Sequence, residues 1–134
     1  MNRIVILGTG HATVTRCYNT CFVLQTDTTT LLVDAGGGNG ILQRLEQTGI
    51  AIKDLHHMYV THAHTDHILG TIWVIRMVLS AAGYEGRFHV YSHAKVLRVI
   101  SMICGETLSA KHRRLMGERV VMHEVGDGTG FQRW

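Results

Sequence analysis

Proline is absent from the 134 residues of this sequence, and cysteine occurs only three times. The cysteines form no Cys-x-x-Cys pair, which excludes a disulfide framework and a zinc ribbon and favours a reducing compartment. The longest apolar stretch, residues 68–82, is interrupted by Arg76 and is too short to cross a membrane. The apolar segment near the N-terminus is too short for a signal peptide. We therefore expect a cytoplasmic protein without a membrane partner.

Charged residues are also scarce, at 17% of the sequence, whereas hydrophobic residues make up 46%. This composition excludes a disordered chain, and 134 residues are enough for one domain with a sizeable core. The net charge of +3 is too small to indicate a polyanionic partner by itself. Histidine, in contrast, is abundant: ten histidines are scattered between His11 and His123, which is not the pattern of a purification tag.

Hydrophobic periodicity divides the chain into strands and helices. A tight turn ends the first strand and a short hairpin connection at 26–28 joins the second and third, which indicates a β-meander, and the remainder alternates between strands and helices. We expect Asn39 and Ser92 to cap two helices, and the apolar helix at 68–82 to be buried on several sides. The predicted strands span 3–7, 20–25, 29–33, 58–60, 87–91 and 119–125, and the predicted helices lie within 39–49, 68–82, 92–105 and 107–116. This order predicts an α/β fold in which helices cover a mixed sheet.

The segment 62–67, His-Ala-His-Thr-Asp-His, places four metal-ligand side chains within six residues, between a predicted strand and a predicted helix. His62 and His64 are two residues apart on an extended segment, so their side chains point the same way and can chelate one ion. Asp66 and His67 lie where the chain turns into the helix and can reach a second ion. Imidazole and carboxylate together suit zinc, and also manganese or iron, better than calcium or magnesium. Although Asp66 could simply cap the helix, three histidines and an aspartate at this spacing favour a metal site.

This motif, together with four further segments, resembles the metallo-β-lactamase-fold hydrolases and is most similar to their ribonuclease Z-like branch. The further segments are Leu-Gly-Thr-Gly at 7–10, Arg-Cys-Tyr-Asn-Thr at 16–20, Leu-Val-Asp-Ala-Gly at 32–36 and His-Ile-Leu-Gly at 67–70. The resemblance implies an αββα sandwich of which this chain supplies roughly the first half. We therefore expect residues 1–134 to form a single domain that is truncated at its C-terminus, with 131–134 opening a further strand.

The same resemblance implies a role for each residue of the motif. His62 and His64 would bind the first of two zinc ions, and Asp66 and His67 would bind the second. Asp34 would support the ligand loop from behind, without binding an ion itself.

The resemblance also implies three ligands that have no convincing match here: a third histidine, a bridging aspartate and a final histidine. His123 is a poor substitute, because it precedes the Gly-Asp-Gly turn at 126–128, whereas the family's third histidine follows that turn. The chain is therefore either part of an enzyme or a metal-binding but catalytically incomplete fragment or subunit. In the second case a partner or a second copy would complete it, and we expect a homo-oligomer.

Two ions about 3.5–4 Å apart lower the pKa of a bridging water and stabilise charge that develops on a phosphoryl or carbonyl oxygen. Asp66, with one oxygen free, would act as the catalytic residue that orients this water or relays its proton. The expected activity is that of a metal-dependent hydrolase, a phosphodiesterase or ribonuclease Z-like enzyme that uses a metal-bridged hydroxide. Its expected substrate is a small-molecule or nucleic-acid phosphodiester.

A different interpretation rests on Gly8-x-Gly10 after the first strand and Asp34 at a later strand end, which imitate a dinucleotide-binding fingerprint. The third glycine of that fingerprint is replaced by Thr13. Residues 13–16 are also β-branched where the fingerprint needs a helix, so this interpretation is the weaker one.

Overall fold

Six strands form a single mixed sheet in the computed structural model, which describes residues 1–128 of the chain. The strands are β1 (Arg3–Gly8), β2 (Cys21–Gln25), β3 (Thr30–Val33), β4 (His57–Tyr59), β5 (Phe88–Ser92) and β6 (Val120–Glu124). The helices are α1 (Gly40–Gln47), α2 (Thr65–Ser80), α3 (Ala94–Thr107) and α4 (Ala110–Arg113), with a 3₁₀ turn at Ile52–Asp54. The strands lie side by side in sequence order, antiparallel from β1 to β3 and parallel from β3 to β6.

The core lies between this sheet and its helices. Parallel neighbours need crossover connections, and crossovers of one hand between successive strands place their helices on the same face. The register puts one row of apolar side chains across all six strands, on the face that packs against the helices. The row consists of Val5, Val23, Leu32, Met58, Val90 and Met122. Fully burying a side chain of this size contributes roughly 1.5–3 kcal/mol.

The predicted α/β class, the meander and all six predicted strands are confirmed, each within two residues at its ends. The helix predicted at 68–82 begins earlier, at Thr65, and it is buried on several sides, because it contacts α1 and α3 as well as the sheet. Its remaining side, with Trp73, Arg76 and Met77, is exposed.

Asn39 lies at the N-cap position of α1 as predicted, although without a side-chain cap, and the cap predicted at Ser92 is wrong. The side chain of Asn39 makes no cap hydrogen bond, because Asn39 itself already has helical dihedral angles (φ −73°, ψ −7°). Ser92 belongs to β5, and its hydroxyl donates to the carbonyl of Val60 at 2.6 Å. His93 occupies the N-cap position of α3 instead.

None of the helices within residues 1–128 is both long enough and apolar enough to span a membrane. The strand predicted to open at 131–134 lies outside the described residues.

Candidate metal centre

The predicted ligands lie at the carboxyl ends of β3 and β4, two neighbouring parallel strands. Asp34 directly follows β3, and His62 lies in the segment between β4 and α2. His64 is the N-cap residue of α2, while Asp66 and His67 lie in the first turn of that helix. Because the carboxyl ends of parallel strands meet at one edge of the sheet, the strand order alone brings these two segments together.

Asp34 is the buried centre of this edge, with only 5% of its surface exposed. Its Oδ1 accepts the backbone N–H of Thr61 at 2.8 Å, and its Oδ2 accepts the Thr61 hydroxyl at 2.7 Å and Nδ1 of His67 at 2.8 Å. Asp34 has a φ of +57°, a left-handed conformation that costs a residue other than glycine roughly 1–3 kcal/mol. These three hydrogen bonds hold it in that conformation.

The hydrogen bonds around Asp34 also fix the protons of two histidines. The Thr61 hydroxyl lies 2.7 Å from Nδ1 of His62, and it has a single proton, which it gives to Asp34. Nδ1 of His62 must therefore donate to Thr61, just as Nδ1 of His67 donates to the ionised Asp34 carboxylate, which can only accept. Both imidazoles keep Nε2 for another partner, the arrangement typical of metal-binding histidines.

The predicted ligands cluster around His62. The His62 ring centroid lies 4.6 Å from that of His64 and 4.2 Å from that of His67. Nε2 of His67 lies 3.2 Å from Oδ2 of Asp66. Within the described part of the chain, Asp34, His62 and His67 offer metal-ligating atoms within 4.8 Å of one another. The structure thus places all five predicted site residues at one edge of the sheet.

The glycine-rich segment after Asp34 allows α2 to approach this edge closely. A Cβ on Gly70 would lie 1.9 Å from the carbonyl oxygen of Ala35, a distance at which the backbone itself would have to move. The N–H of Gly70 donates to the carbonyl of Gly36 at 2.8 Å. Glycine at position 70 is therefore required for the first turns of α2 to pack on the segment that carries Asp34.

Sequence reasoning missed two residues of this edge, Thr61 and Tyr18. Thr61 immediately precedes the histidine motif, and a hydroxyl beside a histidine was a signal that could have been used. The Tyr18 hydroxyl lies 2.7 Å from the carbonyl oxygen of Ala35 and 2.8 Å from that of Gly38. Tyr18 belongs to the segment 16–20 that carries part of the family resemblance, but its partners are 17 and 20 residues away in sequence, so the local pattern gave it no role.

His123 lies away from this site, in a second group of histidines on the sheet face opposite the helices. Nδ1 of His89 and Nε2 of His123 are 2.8 Å apart, and His57 stacks on His89 with a centroid distance of 5.4 Å. Tyr91 stacks on His123 at 4.8 Å. Burial first, and then the neighbouring imidazoles, lower the pKa of His57 to about 4. We call His57, His89 and His123 the sheet-face histidines.

The dinucleotide interpretation is wrong. In the described chain, the element that directly follows β1 is not a helix but β2, which pairs antiparallel with β1. A Cβ on Gly8 would lie 2.2 Å from the carbonyl oxygen of Asn19, and one on Gly10 would lie 2.9 Å from that of Tyr18. These glycines let the chain around 18–19 pack against the end of β1, rather than opening a phosphate-binding turn.

Known structures place this fold among the metallo-β-lactamase-fold proteins. The human tRNase Z short form superposes with a TM-score of 0.73 at 20% identity, covering 92% of this chain and 44% of its own. Zn²⁺-bound PqqB from Methylobacterium extorquens superposes with a TM-score of 0.63 at 15% identity, covering 94% of this chain and 50% of its own. Ribonuclease Z from Streptomyces avermitilis is 35% identical over 79 residues, which cover 58% of this chain and 26% of the relative.

The fold and the site define a metallo-β-lactamase-fold protein, and the resemblance to the ribonuclease Z-like branch is confirmed. A sequence profile of the family described as Anti-Pycsar protein Apyc1 matches residues 2–115, so the chain belongs to that family. The chain spans about a quarter of the ribonuclease Z relative and about half of the structural neighbours.

Proposed function

We propose that this chain carries the metal-binding motif of a hydrolase that cleaves phosphodiesters. The observation that carries the proposal is the convergence of three imidazoles and two carboxylates at one edge of the sheet, with Nδ1 of His62 and of His67 hydrogen-bonded to Thr61 and Asp34, respectively. His62 and His64 bind one ion, and Asp66 and His67 bind a second. Asp34 orients His67 and, through Thr61, His62.

The donor set fits such ions. With its proton on Nδ1, His67 presents the lone pair of Nε2 toward Oδ2 of Asp66, 3.2 Å away. Two acceptors that face each other at this distance repel, so the pair favours a shared proton or a shared cation. Imidazole and carboxylate ligands suit zinc, manganese or iron. We propose zinc, which is also present in the structural neighbour PqqB.

Asp34 contributes by orientation rather than by coordination. Both of its oxygens already accept hydrogen bonds from Thr61 or His67, and the residue is almost fully buried. Partners of this kind fix the tautomer of a ligating histidine and raise its basicity. Asp34 therefore supports the proposed ligands by hydrogen bonds to His67 and Thr61, without binding an ion itself.

Bound divalent ions would supply Lewis acidity and lower the pKa of a water molecule to near neutrality. Asp66 has two carboxylate oxygens, one of which faces His67, and the other can accept a proton from that water or hold its orientation. Their contacts with Thr61 and Asp34 hold the His62 and His67 rings in place, so little reorganisation would be needed if these rings held the ions.

The choice of a phosphodiester is supported by the relatives, whose names denote cleavage of RNA: ribonuclease Z and tRNase Z. From the description of its family as anti-Pycsar proteins, we further propose that the protein opposes Pycsar. We also propose a cytoplasmic homo-oligomer in which residues 1–134 belong to a single metallo-β-lactamase-like domain.

A second candidate is a metal-binding chain that does not turn over substrate by itself. The limited coverage of the relatives supports this alternative, because this chain corresponds to only about half of each structural neighbour. Four proposed ligands would then bind zinc, while a partner, a second copy or further sequence supplies the remaining ligands.

Zinc titration combined with hydrolysis of bis(4-nitrophenyl) phosphate tests both candidates on the 134-residue chain. If the chain is an enzyme, it should bind zinc and turn over the substrate, and Asp66→Asn should reduce both. The matched control Asp54→Asn, at an exposed aspartate, should retain both. Zinc binding without turnover supports the incomplete site. If the folded chain binds no zinc, the ligand assignment fails and both candidates fail with it.

A further inference from the structure

Tyr18 lies between β1 and β2, in a segment without strand or helix, and its ring packs directly on the glycine-rich loop at 35–40. A Cβ on Gly36 would lie 2.3 Å from Cε2 of the ring, and one on Gly40 would lie 2.7 Å from Cε1. The ring therefore touches the backbone of the loop at two places, and both contacts require glycine.

The Tyr18 hydroxyl holds the same loop by hydrogen bonds. It lies 2.7 Å from the carbonyl of Ala35 and 2.8 Å from that of Gly38, so its one proton is shared between two acceptors, and it accepts the N–H of Gly38 at 3.4 Å. Next to it, Oδ1 of Asn19 accepts the N–H of Gly37 at 3.1 Å. Tyr18 and Asn19 thus hold four consecutive loop residues: Ala35, Gly37 and Gly38 are bound by hydrogen bonds, and Gly36 lies under the ring.

The opposite side of the loop is held by α2. The N–H of Gly70 donates to the carbonyl of Gly36 at 2.8 Å, and the N–H of Ala35 donates to the carbonyl of His67 at 3.3 Å. The loop is therefore clamped between Tyr18 and the helix that carries Asp66 and His67. Asp34, which orients His67, is the residue immediately before this clamped loop.

We propose that Tyr18 is a positioning residue of the metal centre, which acts by holding loop 35–38 so that Asp34 stays hydrogen-bonded to Nδ1 of His67 and orients that ring. This inference rests on the metal site of the proposed function. It extends that site to a residue that contributes no ligand and contacts none of the four ligands by hydrogen bond in the described chain.

The competing explanation is that Tyr18 only fills space and stabilises the fold. Tyr84 provides a matched control, because its hydroxyl also donates to a backbone carbonyl, that of Leu55, at 2.6 Å. Leu55 precedes β4, whereas the metal centre follows that strand. Burial raises the pKa of Tyr18 to about 12 and raises that of Tyr84 as well, so both hydroxyls remain neutral donors at the pH of the experiment.

The test compares Tyr18→Phe with Tyr84→Phe in the 134-residue chain. Both variants keep the ring and lose one hydroxyl, so thermal unfolding is expected to show a similar loss of stability. Zinc affinity, measured by calorimetric titration with Zn²⁺ alone, is expected to fall about tenfold in Tyr18→Phe, at the low end of the effect of partners behind metal ligands. Tyr84→Phe is expected to stay within about twofold of the unaltered chain.

Nitrogen-15 NMR of the metal-free chain provides the second readout. The Nδ1 proton of His67 is expected to be observed in its hydrogen bond to Asp34, and to shift or exchange faster in Tyr18→Phe but not in Tyr84→Phe. The proposal is overturned if both variants lose stability equally while Tyr18→Phe leaves zinc affinity and the His67 signals unchanged.

The two readouts also separate this proposal from the proposed function. If the unaltered chain binds no zinc, the ligand assignment fails, and the His67 signals of the metal-free chain still decide whether Tyr18 positions that histidine. If zinc binds and only the Tyr18 effect is missing, the positioning role fails alone.

Discussion

Two groups of histidines lie in this chain, and they differ in their partners rather than in their number. His62, His64 and His67 lie at an edge of the sheet that also carries two carboxylates. Asp34 is hydrogen-bonded to Nδ1 of His67, and Asp66 lies 3.2 Å from Nε2 of the same ring. The described partners of the sheet-face histidines are other imidazoles and the Tyr91 phenol.

Among the described contacts, a carboxylate beside the ring is what marks the candidate ligands. A carboxylate that accepts Nδ1–H fixes the tautomer and leaves Nε2 as a lone pair for a cation. In the sheet-face group, the nitrogens of His89 and His123 face each other at 2.8 Å, so one donates and the other accepts. These two nitrogens therefore satisfy each other.

The largest expected effect comes from removing two proposed ligands. His62→Ala combined with His64→Ala should weaken zinc binding by more than about 100-fold, because even partners behind a ligand contribute 10–100-fold. Calorimetric titration with Zn²⁺ measures the loss. The control is His56→Ala combined with His57→Ala, which removes two adjacent histidines outside the site and should leave affinity unchanged. Equal losses in both double variants would mean that the two groups have been wrongly separated.

The next effect comes from removing the charge that orients His67. Asp34→Asn should weaken zinc binding by about 10–100-fold, while the backbone keeps its conformation because asparagine tolerates positive φ. Asp54→Asn, at an exposed aspartate, is the matched control and should match the unaltered chain. An Asp34→Asn variant that folds and binds zinc normally would show that the carboxylate does not distinguish the two histidine groups.

The smallest expected effect is a loss of folding stability at low pH, caused by His57 of the sheet-face histidines. The pKa of His57 is about 4 in the folded chain, below the value of about 6.5 for an unperturbed histidine. The unfolded chain therefore protonates His57 more readily than the folded chain does. The folded state keeps its full stability above pH 6.5, where His57 is neutral in both states, and loses stability as the pH falls toward 4. We expect a loss of about 1–2 kcal/mol between pH 7 and pH 5, after allowance for solvent screening.

Urea unfolding of the chain and of His57→Gln at pH 7 and pH 5 measures this contribution. The stability of His57→Gln should fall less between the two pH values than that of the unaltered chain. An identical fall in both would show that His57 is not the group that carries the acid sensitivity.

The sheet and the position of the site were predictable because both depend on patterns within short segments. Alternating apolar residues locate β1 to β6, and the spacing of His62, His64, Asp66 and His67 places the motif between β4 and α2. The support of Asp34 for the ligands followed from a family resemblance, and the observed hydrogen bond to His67 agrees with it.

The remaining features could not be predicted because they depend on contacts between distant segments. The role of Thr61 depends on a carboxylate 27 residues earlier in the chain, and Tyr18 holds a loop that lies 17–20 residues later. The cap predicted at Ser92 failed for a similar reason, since the Ser92 hydroxyl has a tertiary partner, the carbonyl of Val60 on the neighbouring strand segment.

The position of Asp34 at the junction of the antiparallel and parallel parts of the sheet has a consequence for the order of folding. The β1–β2–β3 meander closes through short connections, whereas β3 and β4 pair only after a crossover that includes α1 and the 3₁₀ turn. Closing longer connections costs more chain entropy and slows folding. The hydrogen bonds from Thr61 and His67 to Asp34 can form only after this crossover has closed, so a formed metal centre reports that the slow, non-local pairing is complete.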